Sequence, residues 1–583
     1  MDRGTVKEMS EITVMINGIK TIIPEGTSIL HTAQAAGIKI PTLCFHPDQE
    51  IKANCRICVV EAEGQKNLIP ACATAVNEGM VINTATPRVL EARRMILELI
   101  LAHHPQDCLH CVRSGSCELQ QLATEYDVRF NRFPLEDAHL PLDYSSPSIV
   151  RDSNKCILCG RCIEFCTSKQ TVNALGLAHR GFDSQVVPSI GQELFESPCV
   201  MCGQCIHACP VGAISGREQT DEFMAAAADP DKIVVTQIAP AVRLAIAEAF
   251  GADRDQLQMG QLASALRMLG FNHVLNTNFA ADLTIMEESQ ELLERISNGG
   301  VLPMFTSCCP AWVRFTEVFY PDQLDHLSTC KSPQQMFGAL VKTYWAERMN
   351  ISPDKIFSVS IMPCTAKKYE AVRPEMTDSD YSDVDMVLTT REIVRLLQMT
   401  GINPLKLEET EFDPWMGEYT GSAVLFGASG GVMEAALRTV YEKVTGRVLE
   451  KLDFSDVRGM AGLKEATVDM DGTIVKVAAA HTLGNARALM DEVAAGKSPY
   501  HFIEIMACPG GCIGGGGQPI TRSNEQRAQR MEAIYVEDRS KILRKSHENH
   551  EIQMLYEDFL QETLGHRSHE LLHTKYTLKR KNI

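Results

Sequence analysis

Two copies of one cysteine spacing carry the most specific chemistry in this chain. Cys156, Cys159, Cys162 and Cys166 lie in CILCGRCIEFC, and Cys199, Cys202, Cys205 and Cys209 lie in CVMCGQCIHACP. The run C-x2-C-x2-C-x3-C holds [4Fe–4S] clusters in bacterial two-cluster ferredoxins, where the fourth cysteine of each run serves the other cluster. Cys156, Cys159, Cys162 and Cys209 are therefore assigned to one cluster, and Cys199, Cys202, Cys205 and Cys166 to the second. Thr167 stands where proline usually follows the first run, which changes the local turn and removes no ligand.

Two further groups precede them. Cys44, Cys55, Cys58 and Cys72, with the close pair on a loop, suit a [2Fe–2S] cluster; a structural zinc site would use the same donors. In HHPQDCLHCVRSGSC, Cys108, Cys111 and Cys117 supply three thiolates and His104 an imidazole, a set that serves zinc or iron–sulfur equally. His103 and His110 are rival imidazoles that spacing does not exclude. Four clusters along one chain form a path for single electrons, and such a path implies chemistry at one end.

The whole chain agrees with metal ligation. It has 583 residues and 21 cysteines, and its start lacks the apolar core of a secretion signal, so a reducing cytoplasm is the expected compartment and disulfides are not expected. With 56 Lys and Arg against 74 Asp and Glu, the net charge of −18 argues against a nucleic-acid partner. No uncharged apolar run is long enough to predict a membrane span.

The elements that must position these residues change along the chain. EITVMINGIKTIIPEG reads as a hairpin about Asn17-Gly18, and TSILHTAQAAG as a capped helix ending at Gly37. Beyond residue 230, KIVVTQIA, VLPMF, KIFSVSIM and YHFIEIM read as buried strands. Between them QLASALRML, ESQELLERI and SPQQMFGALVKTYWAERM read as helices. Such alternation predicts mostly parallel sheets covered on both faces, which bind ligands at the carboxyl ends of their strands. Cys308 and Cys309, Cys364 and Cys508 each follow a strand, and Cys512 lies just past the last. Thiolates from Cys309 or Cys308, Cys364, Cys508 and Cys512 could therefore converge, with the glycines of MACPGGCIGGGG letting backbone approach a bulky inorganic ligand. GASGGVMEAALR lacks the spacing of a dinucleotide loop and is read as close packing, and nothing reads as a nicotinamide or flavin site.

TSCCP, MPCTAKK and MACPGGCIGGGGQP closely resemble the three signatures of [FeFe]-hydrogenases. FAADLTIMEE, KSPQQMFG and FGASGGVMEAALR resemble further stretches of that family, and LRKSHEN with SHELLHTKY is similar to its small-subunit region. The resemblance implies a modular α/β architecture. Its parts are a ubiquitin-like [2Fe–2S] domain over 10–87, a histidine-plus-three-cysteine cluster domain over 88–145 and a two-cluster ferredoxin domain over 146–220. A two-lobed H-cluster domain would cover 230–525 and a helical small-subunit-like tail 526–583. Cys309, Cys364, Cys508 and Cys512 match the ligands of a [4Fe–4S] cubane, with Cys512 bridging to a diiron subsite bearing CO, cyanide and an azadithiolate. Cys308 matches the proton-passing cysteine, and Glu288, Ser328 and Glu291 the rest of that relay, with Arg295 one turn beyond. Lys367 would hold a cyanide, Met362 and Met506 would pack around the diiron unit, and Pro240 and Ala241 match a loop near the other cyanide. His104 becomes the favoured imidazole, and Cys330, left without a role, is read as a core thiol.

The same resemblance implies reversible reduction of protons to H2. It also implies electron exchange with an NAD(P)-binding flavoprotein, a thioredoxin-like [2Fe–2S] subunit or ferredoxin, in a hetero-oligomer of the electron-bifurcating kind, or coupling to a formate dehydrogenase. The rival readings are a non-catalytic electron-transfer subunit, which leaves the cysteines after residue 300 unexplained, and a hydrogenase-like sensor or assembly protein, in which relay positions tend to be lost.

Overall fold

The computed structural model describes residues 10–130, 132–133, 140–188, 193–521 and 523–579. The front of the chain forms a five-stranded sheet. Glu11–Ile16 pairs with Ile19–Pro24 about the turn at Asn17 and Gly18, both at positive φ, as a tight hairpin of right-handed strands requires. The alternation in EITVMI puts Ile12, Val14 and Ile16 inward. Helix Ile29–Ala35 covers that face, started by Ser28, whose hydroxyl accepts from the His31 N–H.

The ferredoxin region builds the same backbone twice. Leu158 and Gly160 have φ of 51° and 74°, and Met201 and Gly203 have φ of 57° and 71°, so each cysteine run wraps through a left-handed turn into a short helix. The two copies then part. Without a proline, the first helix, Arg161–Glu164, continues as a wide turn through Lys169, whereas Cys209-Pro210 ends the second, Gln204–Ala208. Proline has no N–H to extend a helix, which accounts for the difference.

The rest is two four-stranded sheets with helices between and around them. In the first, His273–Asn276, Ile233–Ile238, Ile356–Met362 and Met386–Thr389 lie side by side, all parallel. In the second, Met304–Phe305, Phe502–Met506 and Thr473–His481 are parallel, and Leu463–Met470 closes the edge as an antiparallel hairpin. Helix Thr277–Asn298, 22 residues long, runs through the core and buries most of its first four turns. The expected helix at Ser332–Met349 occurs as Pro333–Leu340 and Ala346–Met349, joined by a wide turn at Val341–Trp345.

The tail is helical: Asn524–Ser540, His550–Leu555 and His566–Leu572 wrap back over the core. Asp538, fully buried, holds Arg438 through two hydrogen bonds of 2.8 and 2.9 Å, and Arg544 and Arg458 complete the knot. No helix among the described residues is long and apolar enough to cross a membrane.

Lys331 and Asp383 form an ion pair of 2.9 Å with neither side chain exposed. Replacing Lys331 by methionine strands the carboxylate, which should cost about 3–5 kcal/mol and lower the unfolding temperature measured by calorimetry at pH 8. Burial lifts the Asp383 pKa to about 6, so the loss should shrink in acid, where the stranded group takes a proton.

Candidate active site

Cys308, Cys309, Cys364, Cys508 and Cys512 line one cavity of 80 Å³ between the two sheets. Each arrives as the strand pattern dictates. Cys309 caps helix Pro310–Phe319 just beyond Met304–Phe305, Cys364 follows Ile356–Met362, and Cys508 follows Phe502–Met506. Pro240, Ala241, Met362, Lys367 and Met506 line the same cavity, so every residue matched to the diiron surroundings is brought to it.

Burial raises all five thiols, Cys364 to about 12, and for four of them the neighbouring thiols add to the rise. Buried thiols that oppose one another's ionisation gain from a cationic centre that takes them as thiolates. The donor set therefore fits an iron–sulfur group.

The glycine run serves close packing as well as the cavity, which Gly511 and Gly515 line. A Cβ at Gly515 would lie 2.1 Å from the Pro363 carbonyl oxygen, one at Gly516 2.3 Å from that of Cys202, and one at Gly514 2.2 Å from that of Pro509. The crowding is against backbone. The glycines let the Cys508–Cys512 loop nest on the Cys364 loop and on the second ferredoxin turn. Side chains fasten that nest: Gln204 Nε2 donates to Gly514 O at 2.8 Å, Thr365 Oγ1 to Met201 O at 2.8 Å and Gln170 Nε2 to Ala507 O at 2.8 Å.

The remaining cysteines apart from Cys330 fall in four places. Cys166 shares a cavity with Cys199, Cys202 and Cys205, and Cys209 shares another with Cys156, Cys159 and Cys162. Cys58 and Cys72 have their sulfurs 3.4 Å apart, and the Cys55 N–H donates to Cys44 Sγ at 3.5 Å. That loop rests on the first ferredoxin turn, where Gln49 Nε2 donates to Arg161 O at 2.8 Å. Cys111 reaches the same ferredoxin half, since a Cβ at Gly212 would stand 2.6 Å from its sulfur. Of the three candidate imidazoles, His104 alone is buried, and its Nδ1 has no hydrogen-bond partner; His103 and His110 are exposed.

Helix Thr277–Asn298 supplies the carboxylates. Glu288 is buried beside Ser328 and the Ser307 backbone, and burial, followed by the charge of Glu291, lifts its pKa to about 8, so it carries a proton at neutral pH. Ser328 Oγ donates to Glu291 Oε2 at 2.8 Å, and Arg295 Nη2 to Glu291 Oε1 at 2.7 Å. Arg295 also binds the carbonyls of Asp325 and Leu327, so it is the clamp at the outer end of the series. Lys367 Nζ is more occupied than its sequence setting suggests. It donates to Glu370 at 2.7 Å, to Ser332 at 2.6 Å and to the Cys308 carbonyl at 3.2 Å.

Sequence reasoning missed several of these partners. Ser332 and Glu370 hold Lys367 from other elements and carry no local signal. Glu504 did carry one, as the single charge in the apolar strand FIEIM. Its carboxylate accepts from Gly430 N at 2.6 Å and Met433 N at 2.8 Å, filling the start of helix Gly431–Thr445 where a phosphate would otherwise bind. Gly430 and Gly431 are needed for close packing, as expected: a Cβ there would meet the carbonyls of Val457 and Leu425 at 1.8 and 1.7 Å. Cys330, read as a core thiol, is buried but lies 3.9 Å from Glu291 Oε2.

Comparison with known proteins gives the same picture from end to end. Residues 232–516 match the family described as iron only hydrogenase large subunit, C-terminal domain, and residues 524–579 match the iron hydrogenase small subunit. Ahead of these the chain matches a 2Fe-2S iron-sulfur cluster binding domain over 9–87 and the NADH-ubiquinone oxidoreductase-G iron-sulfur binding region over 93–132. The NADH-quinone oxidoreductase subunit 3, ferredoxin-like domain follows over 146–215. The chain is 48% identical to the NADP-reducing hydrogenase subunit HndD of Solidesulfovibrio fructosivorans, over 97% of this chain and 99% of that one. It is 39% identical to iron hydrogenase 1 of Clostridium pasteurianum, with the same coverage of both. The structure of apo [FeFe]-hydrogenase HydA1 from Chlamydomonas reinhardtii superposes with a TM-score of 0.56 at 44% identity, over 62% of this chain and 99% of that one. With a modular α/β fold, iron–sulfur domains in front and five cysteines meeting in one cavity behind, the chain belongs to the [FeFe]-hydrogenase family.

Proposed function

We propose that this chain catalyses the reversible reaction 2 H+ + 2 e− = H2 at an H-cluster held by Cys309, Cys364, Cys508 and Cys512. The observation that carries the reading is the convergence of those cysteines and Cys308 on one buried cavity nested against the second ferredoxin turn. When bound, the iron centre supplies the electron exchange with hydrogen. The chain's own residues do the rest: Cys308, Glu288, Ser328 and Glu291 move protons, Met362 and Met506 keep water out, and Pro240, Ala241 and Lys367 bound the site.

One [2Fe–2S] and three accessory [4Fe–4S] clusters, one of them with His104 as a ligand, complete the set. The unpartnered, buried Nδ1 of His104 supports that assignment. The domain limits given above follow from the same reading. Relatives named as NADP-reducing hydrogenase and the NADH-dehydrogenase-like front domains favour a cytoplasmic hetero-oligomer. In it an NAD(P)-linked flavoprotein, a thioredoxin-like [2Fe–2S] subunit or ferredoxin exchanges electrons, with bifurcation among them or coupling to formate dehydrogenase as variants.

The test is H2-dependent reduction of a viologen dye by anaerobically matured protein whose infrared CO and cyanide bands are present. Rapid reduction that stops under added CO is the expected result. Absence of reduction despite those bands would leave an electron-transfer subunit or a sensor.

A further inference from the structure

The tail brings a histidine to the outer end of the proton series. His573, buried, has Nε2 3.1 Å from Glu287 Oε2 and Nδ1 2.8 Å from Thr329 Oγ1. Glu287 is buried on the same helix as Glu291 and also accepts from the Tyr556 hydroxyl and the Leu564 N–H. Thr329 in turn donates its backbone N–H to both oxygens of Glu291, at 3.2 and 3.1 Å. Backbone bonds fix the ring on both sides, from Lys331 N to Leu572 O and from Thr574 N to Thr329 O, each 2.8 Å. Ligand atoms of Glu291, Cys330 and His573 all lie within 4.8 Å of one another.

The chemistry of this arrangement goes beyond packing. A buried imidazole and carboxylate must offset the desolvation of both, which an apolar pair would avoid. The carboxylate can only accept, so Nε2 carries the hydrogen toward Glu287. Nδ1 then accepts from the Thr329 hydroxyl when the ring is neutral and donates to it when the ring is protonated. The ring can thus gain or lose a proton without breaking either contact. Arg295 holds Oε1 of Glu291 and leaves Oε2 toward Ser328 and Cys330.

We propose that His573 is a positioning residue of the proton relay, acting through Glu291 by holding a proton beside it and reloading it between turnovers. The inference rests on the relay reading of Cys308, Glu288, Ser328 and Glu291. In the step, the imidazolium gives its Nδ1 proton to the Thr329 hydroxyl, which releases its own to the Glu291 carboxylate across a gap that one water can bridge. The ring becomes neutral and Glu291 a carboxylic acid, which passes the proton to Ser328. The titratable and charged groups that face the pair are Glu287, Glu291, Glu294 and Arg295 on the helix, Lys443 beside Glu287, Cys330, and Tyr556 and His569 of the tail.

The experiment uses the matured holoenzyme with infrared bands confirmed, and three variants: His573→Ala, His573→Gln and Glu291→Gln. H573A should lower H2 evolution about tenfold, less than the 10²-fold or more of a group in the direct line, and added imidazole should restore most of it. H573Q, which keeps hydrogen bonds but cannot hold the proton, should change the shape of the pH profile of H2 evolution. Full activity in both His573 variants, or equal losses with no imidazole rescue and an unchanged pH profile, would overturn the inference. If E291Q keeps wild-type rates, the relay reading fails instead; if E291Q is crippled while both His573 variants are normal, only the role of His573 falls.

Discussion

Replacing Cys308 by alanine should lower H2 evolution by about 10²–10⁴-fold while leaving the infrared CO and cyanide bands in place. The reason is the composition of the cavity wall. Among its described lining residues, the only titratable group besides Cys308 and the four proposed ligands is Lys367, and Lys367 is tied to Glu370, Ser332 and the Cys308 carbonyl. Glu288 is buried and protonated at neutral pH, with Ser328 and the Ser307 backbone beside it, so it can supply a proton but needs a carrier to the cavity. With the thiol gone, the wall keeps no titratable side chain free to take that role. Loss of the infrared bands along with activity would instead make Cys308 a residue of cofactor assembly.

Gly515→Ala should be the small change that acts most directly on the ligand set of the catalytic domain. The added Cβ would stand 2.1 Å from the Pro363 carbonyl oxygen and 2.9 Å from its carbon, and neither backbone atom can swing aside. Overpacking among mobile side chains costs about 1–3 kcal/mol; a backbone clash leaves no such escape and must part the two loops. Those loops carry Cys364 and Cys512, so the ligand set comes apart. The expected outcome is a folded protein that lacks the catalytic-domain iron, read as reduced iron per chain with the front-cluster electron paramagnetic resonance signals retained. A normal iron content would show that the loops tolerate separation.

What the residues revealed in advance was whatever ligand chemistry or strand ends fix locally. The doubled cysteine spacing specified its own turn, down to the left-handed Leu158 and Met201, because a cluster demands the same wrap twice. Cys308, Cys364 and Cys508 were legible because each ends an apolar strand. The helical tail was expected from its resemblance to the small-subunit region, yet its role was not: His573 reaches Glu287 and Thr329 across most of the catalytic domain, and no local pattern encodes that meeting. The glycine run was read only in part for the same reason, since Gly511 and Gly515 line the cavity but Gly515 also packs on backbone. Its neighbours, Pro363 and Cys202, come from distant stretches, so the sequence showed a need for small residues without showing what crowds them. Glu504 is an intermediate case, visible as an oddity in an apolar strand and explained only by the helix start it fills.

The front of the molecule has the shape of a fork. The Cys44 loop and the Cys111 loop both rest on the ferredoxin half that holds Cys156 and Cys159, and the other half touches the catalytic loop. On the cluster assignment proposed above, the two prongs would be alternative waiting places, each one step from a shared junction. Hydrogen chemistry moves electrons in pairs while iron–sulfur centres carry them singly, so a fork can park both members of a pair at once, side by side rather than in a queue. A partner arriving at either prong then finds an electron ready, and the arrival of partners need not keep time with the making of H2.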